Sequence, residues 1–213
     1  MKKEIADIRS DYQLQSLNIE DVSSNVFEQF GKWWGDAINS EIYEVNAMTL
    51  ATATKEGKPS ARIVLLKDYD DKGFVFFTNY NSHKGSELAE NPFAALVFFW
   101  KELERQIRIE GSIEKVSDEE SDAYFYSRPV GSRIGAWASP QSTIIDSRSI
   151  LDENVSMFTE KFGEQIPRPE HWGGYRIIPA VIEFWQGRNN RLHDRIQYSK
   201  EINGNWIIER LAP

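Results

Sequence analysis

Apolar positions fall at helical spacing in a few stretches of this chain, while most of its middle and end is built of short apolar or alternating blocks of strand length. Asn25-x-x-Glu28 has the form of a capping box and opens a helix whose stripe is Phe27, Phe30, Trp34, Ala37 and Ile38, the pattern of a core-facing helix. From Ala47 the period changes. Ala47 to Thr54 and Ser60 to Lys67 read as strands joined by the turn Lys55-Glu56-Gly57-Lys58-Pro59. Asp68 to Gly73 reads as a second turn into a strand at Phe74 to Thr78, and Phe93 to Trp100 and Gln106 to Val116 supply two more. Five strands in one meander predict a barrel or sandwich.

Helices interrupt the strands at places marked by capping residues. Ser82 caps a short helix through Asn91, and Ser117-Asp118-Glu119-Glu120 is a capping box for a helix over Asp118 to Arg128 that Pro129 ends. A further helix runs from Ser147 to Phe162, with Gly163 as its stop. The last strands are Gly174 to Ile178, Ala180 to Gln186 and His193 to Lys200, followed by Trp206 to Arg210. Residues 1–20 are polar with scattered apolar positions and read as an arm or mobile lid, leaving 21–213 as one domain.

Composition narrows the function classes. A chain of 213 residues, 40 % hydrophobic and 13 % aromatic, can bury a full core. Its formal charge of −8 argues against a general nucleic-acid binder, which needs a basic surface, so any phosphate site must be local. The absence of cysteine removes disulfides, thiolate metal sites and a cysteine nucleophile, and fits a reducing compartment. Histidines 83, 171 and 193 have no metal-ligand spacing. The longest apolar run, Phe93 to Trp100, is far short of the ~20 residues a membrane helix needs, and the polar start Met1-Lys2-Lys3-Glu4 leads into no signal-peptide core. The expectation is a cytoplasmic protein that binds neither nucleic acid nor membrane and holds no metal.

Several segments carry more charge than a scaffold needs. In an extended chain Arg191, His193 and Arg195 would project to one side and Leu192 and Asp194 to the other, so two cations would flank an imidazole; a solvated edge strand would show the same alternation. Arg62 and Lys67 bracket the apolar Ile63-Val64-Leu65-Leu66 and, being an odd number apart, share one pocket only through a bulge or a second subunit. His83 and Lys84 stand at a predicted helix start, where the dipole favours an anion. Tyr124 and Arg128 lie four apart on one helical face, with Ser132 just beyond the Pro129 turn, a set able to grip a second phosphate. Gln106, Gln141 and Ser142 are neutral groups suited to the edge of a polar heterocycle, and Trp185 is either core or the rim of a flavin-sized pocket.

Taken in order, Arg62 to Lys67, Leu103-Glu104-Arg105-Gln106, Ser127-Arg128-Pro129, Ile134-Gly135-Ala136-Trp137, Trp172-Gly173-Gly174 and Arg191 to Arg195 resemble the pyridoxine/pyridoxamine 5′-phosphate oxidase family. The resemblance runs from about Ile5 to Pro213. It implies an α+β protein with an antiparallel split β-barrel of the FMN-binding type and peripheral helices, working as a homodimer with FMN at the subunit interface. By motif position it assigns the FMN site to Arg62, Ile63, Val64, Leu65, Leu66, Lys67, Phe77, Thr78, His83, Lys84, Gln106, Gln141, Ser142, Trp185 and Arg195. It assigns the substrate phosphate to Lys67, Tyr124, Arg128 and Ser132, and the pyridine ring to Arg191 and His193, which also carry the catalytic role. Arg9 and Tyr12 match an N-terminal segment that in the family can fold over the active site.

The implied reaction is FMN-dependent oxidation of pyridoxine and pyridoxamine 5′-phosphates to pyridoxal 5′-phosphate, with O2 reduced to H2O2. The alternatives are a split-barrel flavoprotein using another reductant and a non-catalytic flavin or pyridoxal phosphate carrier. Two departures from the family pattern stand out. His83 takes the place of an arginine, which predicts weaker or more pH-dependent FMN binding, and Phe77 takes the place of a common tyrosine, of little consequence if that contact uses the backbone.

Overall fold

The computed structural model describes residue 5 and residues 11–213. Arg9, assigned above to the arm, lies outside the described residues, and Tyr12 lies within them. The strands are β1 (Ala47–Ala53), β2 (Pro59–Leu65), β3 (Asp68–Asp70), β4 (Gly73–Asn79), β5 (Phe93–Trp100), β6 (Arg105–Lys115), β7 (Trp172–Gln186), β8 (Asp194–Lys200) and β9 (Trp206–Arg210). The helices are α1 (Val26–Asn39), α2 (His83–Glu90), α3 (Asp118–Ser127), α4 (Val130–Ala138) and α5 (Ser149–Phe162). Strand neighbours follow the order β2-β1-β5-β6-β7-β4-β3, with β8 on β7 and β9 on β8. The expected five-strand meander is therefore corrected: β4 leaves its sequence neighbours and pairs antiparallel with β7, Phe74 opposite Ile177 and Asn79 opposite Trp172.

The chain divides into two compact units, neither continuous in sequence: residues 1–49, 95–110 and 179–213 in one, 50–94 and 111–178 in the other. In the first, α1 starts where Asn25 accepts hydrogen bonds from the backbone N–H groups of Phe27 and Glu28. Its buried face is Val26, Gln29, Phe30, Trp33 and Ala37. The predicted stripe was rotated, since Ile38 is 51 % exposed. The ring of Phe30 meets Phe98 edge-on at 5.7 Å, and Trp33 meets Phe184 at 5.2 Å. Arg105 lies 4.4 Å over the Trp33 ring and pairs with Asp36 at 2.7 Å.

The second unit has its own core, where Phe125, Ile134, Ile166 and Trp172 are buried and Phe77, Tyr124, Trp137, Phe158 and Phe162 pack on them. The capping box at Ser117 and Glu120 is formed in both directions, as expected. Gly163, with φ +55°, ends α5.

Three further expectations change. Asp68 to Asp70, read as turn, is a short strand paired with β4, because the Asp70 carboxylate caps the N–H groups of Lys72 and Gly73 and tightens the reversal. Residues 174–178 and 180–186, read as two strands, belong to one strand of 15 residues, Trp172–Gln186. Pro179 falls between the stretch paired with β4, which ends at Ile177, and the stretch paired with β8, which starts at Val181, so its missing N–H costs neither ladder a bond. Finally, α4 follows Pro129 directly, where only a turn was expected; a proline before the first helical residue suits a helix start as well as a helix stop.

Candidate active site

A cavity of about 610 Å³ opens in the second unit. Arg62, Ile63, Val64 and Leu65 line it from β2, Phe77 and Thr78 from β4, and Lys84 from α2. Tyr124, Arg128, Ser132 and Gln141 complete the predicted residues along its wall, together with Lys67. Asn79, Gly135, Ala136, Ser139 and Trp172 also line it. The size lies within the range of small-molecule and cofactor sites, about 300–1,000 Å³.

Arg62 and Lys67 reach this cavity within one chain. Strand β2 ends at Leu65, and the Lys67 N–H bonds to the Val75 carbonyl at 2.9 Å, so the strict alternation that would have set the two cations on opposite faces stops before Lys67. Leu66, between them, is buried and does not line the cavity.

One part of the wall is set at the start of α2. Ser82, fully buried, caps the helix by accepting from Gly85 N–H and donating to the Asn79 carbonyl at 2.7 Å. Lys84 Nζ then donates to Gln141 Oε1 at 3.1 Å and to Thr78 Oγ1 at 3.2 Å. Burial, then the nearby charge of Arg62, lowers the Lys84 pKa, as befits a cation waiting for an anion. His83 and Ser142 line an adjoining cavity of about 370 Å³ that shares Gln141. There His83 Nε2 is 2.9 Å from Glu87 Oε1.

Another part is aromatic and cationic. Phe77 stacks on Tyr124 with ring centroids 4.1 Å apart and on Trp172 at 5.6 Å. The Phe77 side chain therefore builds the wall, a contribution beyond the backbone contact expected of it. The Arg128 guanidinium lies 4.5 Å over the Trp172 ring, and the Lys67 ammonium 5.8 Å from the Tyr124 centroid. Arg128 Nη1 is buried with no hydrogen-bond partner, and burial lowers the pKa of the group. A buried unpaired donor on a cation beside Lys67, Tyr124 and Ser132 fits an anionic ligand such as a phosphate.

The other predicted residues belong to the first unit. Gln106 is half-buried near the start of β6. Trp185 is half-buried, its indole 4.5 Å from the His193 ring, and Tyr12 meets both rings edge-on at 5.7 and 5.9 Å. The expected row of Arg191, His193 and Arg195 is not an extended stretch. Residues 189–191 form a 3-10 turn in which Asn190 and Arg191 have φ of +56° and +62°, and β8 begins only at Asp194. Arg191 is exposed. His193 Nδ1 accepts the Arg188 backbone N–H at 3.1 Å, while Arg195 makes a two-pronged bond to the buried carboxylate of Glu183 at 2.7 and 3.0 Å.

The sequence reading missed Thr52, Ser60 and Glu87, which surround the Arg62 guanidinium, and Trp172 as the ring under Arg128. Glu87 had a signal, its place four residues after His83 on one helical face. Trp172 had none beyond its motif, because its partners are distant in sequence. Among the described residues no group of three or more His, Cys, Asp or Glu side chains could hold a metal, and no helix is long and apolar enough to cross a membrane.

Known structures define the class of this fold. An FMN-binding protein from Nostoc punctiforme, described as pyridoxamine 5′-phosphate oxidase-related, superposes with a TM-score of 0.70 over 93 % of this chain and all of its own, at 16 % identity. At that identity the likeness is one of fold: an antiparallel split barrel with peripheral helices.

Sequence comparison then gives the family. Residues 35–161 match the family model for pyridoxamine 5′-phosphate oxidase, and residues 172–213 match a pyridoxine 5′-phosphate oxidase C-terminal dimerisation region. This chain belongs to the pyridoxamine 5′-phosphate oxidase family. It is 59 % identical to pyridoxine/pyridoxamine 5′-phosphate oxidase 1 of Ralstonia nicotianae, over 98 % of this chain and 99 % of that one. It is 58 % identical to the oxidase of Trichormus variabilis over the full length of both. The crystal structure of PhzG from Burkholderia lata, in complex with tetrahydrophenazine-1-carboxylic acid, matches at 30 % identity with a TM-score of 0.89 over 96 % of this chain and all of that one.

Proposed function

We propose that this protein oxidises pyridoxine 5′-phosphate and pyridoxamine 5′-phosphate to pyridoxal 5′-phosphate as a homodimer, with FMN at the subunit interface as cofactor and O2 as the final acceptor, yielding H2O2. The observation that carries the reading is the cluster of Lys67, Tyr124, Arg128 and Ser132 in the same cavity as Arg62 and Lys84. A protein that only held a flavin would need one phosphate site, and this cavity has cations for two.

The residues fit a phosphorylated flavin. Arg62 and Lys84 supply charge to its phosphate at a helix start, and Thr78 and Gln141 supply neutral hydrogen-bonding groups. When bound, FMN supplies the two-electron acceptor for the substrate carbon. The chain's task is positional: Arg128, Lys67, Tyr124 and Ser132 hold the substrate phosphate, which removes most of the freedom the reacting carbon would otherwise have.

The roles of Arg191 and His193 at the pyridine ring rest on the family resemblance. Burial, then the charge of Arg191, lowers the His193 pKa below its ordinary value, so the imidazole is neutral at pH 7. With Nδ1 accepting from Arg188, the neutral ring carries its proton on Nε2. His193 is then a hydrogen-bond donor to the reacting substituent. Protonation of Nδ1 would break the bond from Arg188 that orients the ring, so the acid limb of kcat/KM that reports His193 should lie below about pH 6.5 and disappear in His193→Asn. An unchanged limb in the variant would assign it to the substrate phosphate.

The overall reading is tested by mixing FMN-loaded protein with pyridoxine 5′-phosphate without oxygen. Bleaching of the visible flavin band that reverses in air, together with pyridoxal phosphate formation, supports the oxidase. A band that shifts and does not bleach would leave a flavin protein with another substrate, and uptake of no flavin a carrier.

A further inference from the structure

Glu87 has no part in the function argued so far, yet it is a carboxylate only 4 % exposed beside an anion site. Its Oε2 accepts hydrogen bonds from Thr52 Oγ1 at 2.5 Å and Ser60 Oγ at 2.6 Å and lies 3.3 Å from Arg62 Nη2. Its Oε1 meets His83 Nε2 at 2.9 Å. The same two hydroxyls accept from Arg62: Nη1 donates to Thr52 at 2.5 Å, and Nη2 donates to Ser60. Each hydroxyl has one proton, which Glu87 accepts, so the bonds through the hydroxyls run from guanidinium to hydroxyl to carboxylate. Burial would raise the Glu87 pKa, but the bonds from Ser60, Thr52 and His83 outweigh it and hold the group down at about 2.

A carboxylate next to a phosphate site should repel the ligand. Here its charge is spent on two cationic or protonatable side chains, Arg62 on β2 and His83 on α2, and on hydroxyls from β1 and β2. An arginine held on both Nη atoms needs no reordering when an anion arrives, and preorganisation of that kind raises affinity.

We propose that Glu87 is a positioning residue for the phosphate end of the flavin cofactor, acting through Arg62 and His83. The inference rests on the FMN reading above. Its test compares two probes, FMN and riboflavin, which differ only in the phosphate, by quenching of flavin fluorescence on binding to the apoprotein.

For Glu87→Gln the FMN Kd should rise about ten- to a hundredfold while the riboflavin Kd stays level. Ser60→Ala keeps the carboxylate and removes one bridge, so it should shift the FMN Kd in the same direction by a smaller factor, and it serves if the first variant folds poorly. The losses in Glu87→Gln and Arg62→Lys should not add when combined, since both act on one guanidinium. Equal weakening of FMN and riboflavin would mean a structural role and overturn the proposal. So would additive losses, an unchanged FMN Kd, or a tighter one, the result expected of a carboxylate that only repels. If the unmodified protein binds FMN no better than riboflavin, the FMN reading itself has failed.

Discussion

Replacing Arg128 with alanine should lower kcat/KM for pyridoxine 5′-phosphate by about two orders of magnitude and leave FMN affinity where it was. The size follows from the arrangement: hydrogen bonds to a charged partner contribute about 1.5–3 kcal/mol each, and tenfold in rate corresponds to about 1.4 kcal/mol. Arg128 Nη1 is buried without a partner, so the free protein bears the cost of its desolvation and only an anionic ligand offsets it. The same variant should therefore melt no lower than the parent, a combination that marks a site built for binding. Arg128→Lys keeps the charge and loses both the planar stack on Trp172 and the fork geometry, so it should fall between the two. Steady-state kinetics with flavin titration decide the matter: a weakened FMN Kd in Arg128→Ala would move the residue to the cofactor, and an unchanged kcat/KM would remove it from the site.

Gly85→Ala should be a strongly damaging small substitution at the start of α2, next to cavity-lining Lys84. A Cβ there would overlap the Tyr80 carbonyl, 2.5 Å from its carbon and 2.9 Å from the Tyr80 Cα. Backbone cannot swing aside as a side chain does, so the start of α2 must move and take His83 and Lys84 with it. Overpacking of this kind costs about 3 kcal/mol, and in a chain of this size that is a fall in Tm of roughly 6–12 °C. FMN affinity should fall with it. Gly35→Ala is the control: a Cβ at this helical glycine meets nothing within 4 Å, and alanine there should stabilise by about 0.5–1 kcal/mol. Thermal melts of the two variants check both signs, and a Gly85→Ala protein that melts with the parent would show that the start of α2 yields without cost.

Local signals were read well where their cause was local. Asn25 and Ser82 cap the helices they were expected to cap, and Ser117 with Glu120 closes its box, because a cap bonds within its own first turn. The candidate site was half legible for the same reason. Tyr124 on α3 and Arg128 at its C-terminal cap are four residues apart, and Lys84 stands beside a cap, so spacing brought each to the cavity while the partners of their side chains were left to the fold. The alternation drawn through Arg191, His193 and Arg195 failed because a left-handed turn at Asn190 and Arg191 breaks the strand; Asn190 suits that conformation, but the arginine after it gives no sign that the turn continues. The strand break after Leu65 was equally silent, though it sets Lys67 beside Arg62.

The amino-acid sequence by itself determined the capped starts of α1, α2 and α3, the strand-rich middle and the family resemblance, whose local signals depend on neighbours within a few residues. Only the tertiary structure decided that β4 would pair with β7, that Trp172 would carry the Arg128 guanidinium on its face, and that the Glu87 carboxylate would be bonded by Thr52, Ser60, Arg62 and His83. The physical reason is common to all three. Burial makes an unpaired charge or an unmatched face too costly to leave, and the partner that satisfies it is chosen by the packing of distant segments.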